Sequence, residues 1–292
     1  MKICGCQISK CQIMVTCRRF FAALAALSPL CFVSCDSKTE HEAVEAIEQT
    51  YKIDPLGSLS IRNGSGSIAI YGKATPDVQL HAVKKANGPE RLQAIQVSVA
   101  NQPDFVSITT NFFQPKKQAF FVNSGTVEYT VGVLPTVKLR RVDLENGKML
   151  VDGMRGGETH LSVVDGQLAV RNCFGHVDAA IANGEFELAY DQFEHMQFSV
   201  DAQVTNGNVR VFLPRNASFH LHAETASGRV SSELSETLEL NGKALRKIDL
   251  ALGKEARSEI KIRVTSGNIH IAEASAGIPN NLEPAAGIGS SK

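Results

Sequence analysis

From Tyr51 onward, apolar side chains recur at every second position. Ile68 and Ile70, Val78 and Leu80, Ile95 with Val97 and Val99, Val106 and Ile108, and Val127 with Tyr129, Val131 and Val133 each alternate with polar or small residues. A period of two sends one set of side chains into a core and the other into water, which predicts half-buried strands. Two stretches break the pattern. Ala43, Val44 and Ile47 sit at loose helical spacing in the acidic DSKTEHEAVEAIEQT, predicting a short helix or tether over residues 35–50. Pro89 opens a second stretch, up to Ile95, that suits a short helix because proline fits the first helical turn. The last residues, 276–292, have small residues, glycine and proline without periodicity and are expected to be disordered.

Within the β region one unit recurs: a small polar residue, then glycine, a variable residue, and an apolar–variable–apolar triplet. It stands at Gly66, Gly125, Gly147, Gly166, Gly175, Gly184, Gly207, Gly228 and Gly267. Glycine supplies a positive φ at a bend, and the apolar pair that follows plugs a core. The spacings cluster near 20 residues with a half-period near nine, and the last gap, 39, is close to twice 20. Stacked coils of a β-solenoid produce such a period, so residues 51–275 are expected to form an all-β solenoid, a stack of short strands. An antiparallel β-sandwich or meander of hairpins is the alternative, since Asn-Gly is also a strong hairpin signal. In either case Val209, Val211, Ile269 and Ile271 are expected to face inward and Arg210 and His270 outward, because a one-residue slip would bury charge.

The start of the chain has a different logic. Six of the seven cysteines lie in the first 35 residues, without a paired CxxC or a nearby histidine, so no metal knuckle is expected there. Arg18 and Arg19 precede the 14-residue run FFAALAALSPLCFV, too short for a confident transmembrane span but the right form for the h-region of a secretory signal over residues 1–34. Translation from Met14 would give the signal a normal n-region. At its end FVSC resembles the bacterial lipobox, which implies that Cys35 is diacylated and becomes the mature N-terminus; cleavage and secretion without lipid is the alternative. The whole chain carries 30 basic and 30 acidic residues; losing the four basic residues of the leader leaves a body of net −4. Such a body has no electrostatic hold on anionic membranes, so attachment falls to the lipid.

The charge balance also excludes a nucleic-acid binder that relies on a basic field, and the absence of Trp with only four Tyr argues against aromatic platforms for sugars or bases. Gly64-Ser65-Gly66 with Ala69 matches GxGxxA, but Ile68, Ile70 and Tyr71 continue it as a strand where a dinucleotide site needs a helix. His220, His222 and Glu224 would share one strand face, a possible metal row, yet a solvated face with Phe219, Leu221 and Ala223 inward explains them more simply. Asp152, Asp165 and Asp178 recur as a glycosidase or lyase on a β-helix would require, although the first two precede glycines, where a turn role suffices. Cys173 stands alone beside Phe174 and reads as a small hydrophobe of the wall. No catalytic, cofactor-binding or metal-ligating residue is assigned.

SLSIRNGSGSIAIYG, VQLHAVKK and VEYTVGVLPTVKLRRVDLENGKMLVDG, followed by the NG and DG units, resemble in content and order a bacterial domain-of-unknown-function family of adhesin-like proteins with β-strand repeats, akin to the head-GIN adhesins. The resemblance runs from about Gln49 to Glu273. It implies an all-β solenoid-like envelope protein with no catalytic residues to carry over. The expected function is therefore a non-catalytic, lipid-anchored envelope protein that binds a protein or glycan partner through its strand surface. A carbohydrate-active enzyme on the same architecture is the alternative.

Overall fold

The computed structural model describes residues 42–113, 125–192, 194, 197–214, 216–234, 245–253 and 257–274. The elements in chain order are β1 (Glu42–Lys52), β2 (Ser58–Gly72), β3 (Asp77–Asn87), α1 (Pro89–Gln93), β4 (Ile95–Gln102), β5 (Phe105–Phe112), β6 (Gly125–Val133), β7 (Lys138–Asp152) and β8 (Arg155–Arg171). They continue with β9 (Phe174–Ala189), β10 (Ser199–Leu213), β11 (Phe219–Ser227), β12 (Val230–Ser232), β13 (Lys247–Leu252), β14 (Ser258–Ser266) and β15 (Ile269–Glu273). The architecture is the expected all-β solenoid.

Parallel pairing joins β2, β7, β8, β9 and β10; a register shift early in β2, β7 and β8 precedes an unbroken register through the glycines. Each of these strands turns a corner in its middle, and burial shows where. In β9 the inward residues are Val177, Ala179 and Ile181, then Phe186 and Leu188; in β10 they are Val200, Ala202 and Val204, then Val209 and Val211. The odd step of five switches parity at the glycine, so the strand bends there and both halves face the same core. Asn183↔Asn206 and Gly184↔Gly207 stay in register through the bend, so the corners stack as well. Each coil then closes through a short connection filled by Met154, Cys173, Phe174, Tyr190 and Phe198, all buried.

The glycines form a ladder. Gly66, Gly147, Gly166, Gly184, Gly207, Gly267 and Gly228 have φ between +124° and +151°, and lie one above the next. A Cβ on Gly166 would stand 1.9 Å from the carbonyl oxygen of Gly147, and one on Gly184 1.7 Å from that of Gly166. No side chain fits between two coils here, and the backbone demands a conformation that suits glycine. Two of the glycine units expected from sequence do not belong. Gly125 pairs antiparallel with Ala86 of β3, while Val127 faces Gly66; Gly175 lies on another side of the coil, where its Cβ would meet the carbonyl oxygen of Gly157. The nine-residue half-period thus marks a second corner.

Chain order and spatial order part at the C-terminal end. β14 lies between β10 and β11, and β15 between β10 and β12, so the last coil in sequence inserts beneath the one before it. Between β12 and β14 the chain also runs through the antiparallel strand β13, which accounts for the 39-residue gap between Gly228 and Gly267. Antiparallel strands close both ends: β1, β3 and β6 with the β4–β5 hairpin at one, β13 on β11 at the other. Such caps shield apolar coil ends that would otherwise be left unstacked.

The stretch from residue 42, expected as a helix or tether, is strand β1, paired with β3 over its whole length. Of the positions that mimicked a helix, Ala43 and Ile47 lie four apart and share one half-buried strand face with Tyr51, whereas Val44 is exposed; between them Glu45 reaches Lys84 Nζ at 2.8 Å. The short helix expected after Pro89 is α1. The leader, Cys35 and the tail from 276 lie outside the described residues.

Candidate functional site

Because the interior is filled with stacked aliphatic side chains, the polar chemistry of each coil lies outside, repeated from strand to strand. Val209, Val211, Ile269 and Ile271 are buried while Arg210 is exposed and His270 half-buried, as period two requires. On the face made by the first halves of the coils, His160 Nδ1 lies 3.4 Å from Asp178, His176 Nδ1 meets Ser199 Oγ at 2.7 Å, and Arg263 donates two bonds to Asp201 at 2.7 and 2.9 Å. His220, His222 and Glu224 stand on this face with Leu221 and Ala223 inward, and His222 lies between Glu224 and Asp249 at 3.5 and 3.3 Å. Among the described residues no group of three His, Cys, Asp or Glu is arranged to hold a metal ion.

On the other face, made by the second halves, Arg171 pairs with Glu187 at 3.0 Å, both largely covered, and Arg210 reaches Glu185 and Glu187 at 3.3 and 3.4 Å. Next to them an outward apolar cluster of Ala69, Leu150 and Ala169 packs with Tyr71. Most of these charged groups are thus paired, and they are dispersed along the stack rather than gathered at one point.

The three aspartates that sequence singled out do not converge. Asp165 is at the glycine corner, where it accepts from Asn183 Nδ2 at 2.8 Å; Asp178 is on the first outer face with His160. Asp152 ends β7, and burial holds its carboxyl above the usual range against the opposing hydrogen bond from Asn172. Cys173 is buried, its Sγ 3.2 Å from the Arg171 carbonyl oxygen, and burial pushes its thiol up to about 12. That is the reverse of what a nucleophile needs. Gly64-Ser65-Gly66 runs within β2, and a Cβ on Gly66 would stand 2.2 Å from the Val127 carbonyl oxygen.

Two grooves open on the second face, one at each end of the stack. Near the N-terminal end a groove of about 520 Å³ is lined by Glu48, Lys73, Gln79, His81 and Thr130, with Gly132 at its floor; Lys73 Nζ lies 5.5 Å from the Tyr71 ring centre. At the C-terminal tip a groove of about 490 Å³ is lined by Arg229, Ser231, Asn268 and His270 over Gly228 and Ile269. Neither was anticipated from sequence. The one signal was positional: Asn208, Asn268 and Arg229 each follow a ladder glycine, so their side chains stack in one outward row.

Residues 39–272 match the Toastrack DUF4097 family. No curated protein matches the chain. Among solved structures it is similar to a putative cell adhesion protein from Clostridium sporogenes, with 14% identity over 78% of this chain and 100% of that one at a TM-score of 0.44. A putative adhesin from Bacteroides fragilis has 12% identity over 78% of this chain and 97% of that one, at 0.28. A putative lipid binding protein from Parabacteroides distasonis has 9% identity over 80% of this chain and 97% of that one, at 0.29.

Proposed function

The chain belongs to the Toastrack DUF4097 family, and from that premise we propose that it is a non-catalytic cell-envelope protein, held to a membrane by lipid on Cys35, that binds an envelope or surface component through the outside of its solenoid. One observation carries the reading: the interior is packed solid with apolar ladders while the polar groups of every coil are spread outward in repeated rows. A surface of that kind offers many aligned contacts and suits recognition of an extended partner.

The anchoring half of the proposal draws on the Arg18-Arg19 pair, the apolar run and Ser34-Cys35. It also agrees with a body of net −4, and with the described residues containing no helix long and apolar enough to cross a membrane. Palmitate labelling and mass spectrometry of the native protein test it. Cys35→Ser is expected to move the protein from the membrane to the soluble fraction; a mature chain that retains residues before Cys35 sinks this part. The binding half is tested with purified residues 36–292 on a glycan array and in pull-downs, beside a panel of polysaccharide hydrolase and lyase substrates. Saturable binding without turnover is expected, whereas turnover abolished by a single Asp or Glu substitution overturns the reading.

A further inference from the structure

The groove at the C-terminal tip has a chemistry of its own. Arg229 follows Gly228, whose missing Cβ lets the backbone lie against the Gly267 carbonyl oxygen, and the exposed guanidinium has no carboxylate partner among the described residues. Its backbone N–H donates to Asn268 Oδ1 at 3.0 Å, and the Asn268 N–H donates to Asn208 Oδ1 at 3.1 Å. Two residues further on, Ser231 Oγ lies 3.0 Å from His270 Nδ1, while His270 Nε2 faces Glu233 at 3.3 Å. The groove therefore brings together an unpaired guanidinium, an imidazole, a hydroxyl and an amide on adjacent strands.

We infer that this groove binds the carboxylate of an acidic glycan. The guanidinium presents a planar fork that matches a carboxylate. Asn268 and Asn208 continue the row at the strand spacing of about 4.8 Å, so hydroxyl groups on the neighbouring sugar meet amides rather than an apolar wall. The groove is shallow and has no aromatic side, which selects a hydrated, hydroxyl-rich ligand over a hydrophobic anchor. With the body at net −4 there is no general attraction for polyanions, so an acidic polymer is held where a guanidinium fork, rather than the point charge of a lysine such as Lys73, stands without a carboxylate partner among the described residues.

The position of the groove fits the same use, and this part rests on the anchored-binder reading proposed above. Seven residue steps separate Cys35 from Glu42 at the start of β1, a reach of at most about 25 Å. On the second face the strands run β1, β3, β6, β2, β7, β8, β9, β10, β15, β12. Nine inter-strand steps carry β12 roughly 43 Å from β1. The described strand nearest Cys35 in sequence is thus at one end of the stack and Arg229, next to β12, at the other.

The test uses residues 36–292 and oligogalacturonate, with the fully methyl-esterified oligomer as the uncharged control and inorganic phosphate as a second probe, by calorimetry at low ionic strength. Oligogalacturonate is expected to bind, the ester at least tenfold more weakly. Arg229→Gln should weaken the acid form at least tenfold with an unchanged melting temperature, and Lys73→Gln, in the groove at the opposite end, should leave it unaltered. Equal binding of acid and ester, insensitivity to Arg229→Gln, or phosphate binding as tightly as the oligomer each overturns the inference. If residues 36–292 bind other array glycans or a protein partner but not oligogalacturonate, the tip assignment fails while the binding function stands.

Discussion

Replacing Gly166 with alanine separates the solenoid's stacking from ordinary strand propensity. Gly166 has φ +146°, and its Cβ would lie 1.9 Å from the oxygen, 2.8 Å from the carbon and 3.0 Å from the nitrogen of Gly147. A carbon and an oxygen need more than 3 Å, so adjacent coils must separate by over an ångström at this corner. Forcing a side chain into that backbone region costs about 1–3 kcal/mol. Opening two or three ladder hydrogen bonds adds roughly 0.5–1.5 kcal/mol each. The sum, about 2–7 kcal/mol, is a large part of the 5–15 kcal/mol typical of a folded domain. Gly156 supplies the control, because it also has a positive φ, +74°, but nothing lies within 4 Å of its would-be Cβ. Gly156→Ala should cost only the backbone term, about 1–2 kcal/mol. Urea unfolding of both variants, followed by far-ultraviolet circular dichroism, reads the difference. Equal losses would show that coil contact at the glycine ladder contributes nothing beyond φ, and would refute the stacking argument.

The strand faces make a second contrast: Val211→Asp buries an unpaired carboxylate at a fully buried position and should destabilise by about 3–5 kcal/mol, while Arg210→Ser, next to it but on the outer face, should stay within about 0.5 kcal/mol. Matching melting temperatures for these two variants would contradict the inward assignment. Cys173 gives a pH signature. Its thiol stays neutral in the fold up to about 12 but ionises in the unfolded chain near its ordinary value of 9.0, so its contribution is complete below pH 9 and falls as pH rises from there towards 12. Cys173→Ala should flatten the alkaline decline in stability, leaving the part due to Tyr129, likewise raised to about 12, and to Tyr190, which burial raises well above its ordinary value. A thiol reagent that labels native Cys173 at pH 8 as fast as it labels the denatured chain would show that the site is open.

The repeated glycine followed by an apolar–variable–apolar triplet made the coil legible, because a bend that only glycine can take and a core that only alternate residues can fill both leave marks in composition. The marks are local, and where pairing is not local they mislead. Gly125 carries the unit yet joins an antiparallel strand, since what surrounds it is β3 and not another coil. Ala43 and Ile47 share a face in either a helix or a strand, and the choice was settled by the free edge of β3, where they pair with Ala86 and Ala82, and by Lys84, residues more than 30 positions away. The tip groove was illegible for the same reason: Arg229 and His270 are 41 positions apart in sequence and meet only because two coils exchange order.

That exchange links topology to the proposed site. β11 pairs with β13 and β14, and β12 with β15, so among the described strands neither pairs with β10, the strand that precedes them in the chain. When β11 and β12 form, the face on which they must rest is supplied by residues 258–273, which come later. β14 and β15 bury Ile260, Ile262, Val264, Ile269 and Ile271 against neighbours on both sides, and each such side chain is worth about 1.5–3 kcal/mol. The last coil therefore acts as a wedge that fixes the penultimate one to the stack. The groove takes Arg229 and Ser231 from one of these coils and Asn268 and His270 from the other, so its cation and its hydrogen-bonding partners come together only when the wedge is in place. Placing a recognition site across the last two coils makes binding competence depend on completion of the whole solenoid.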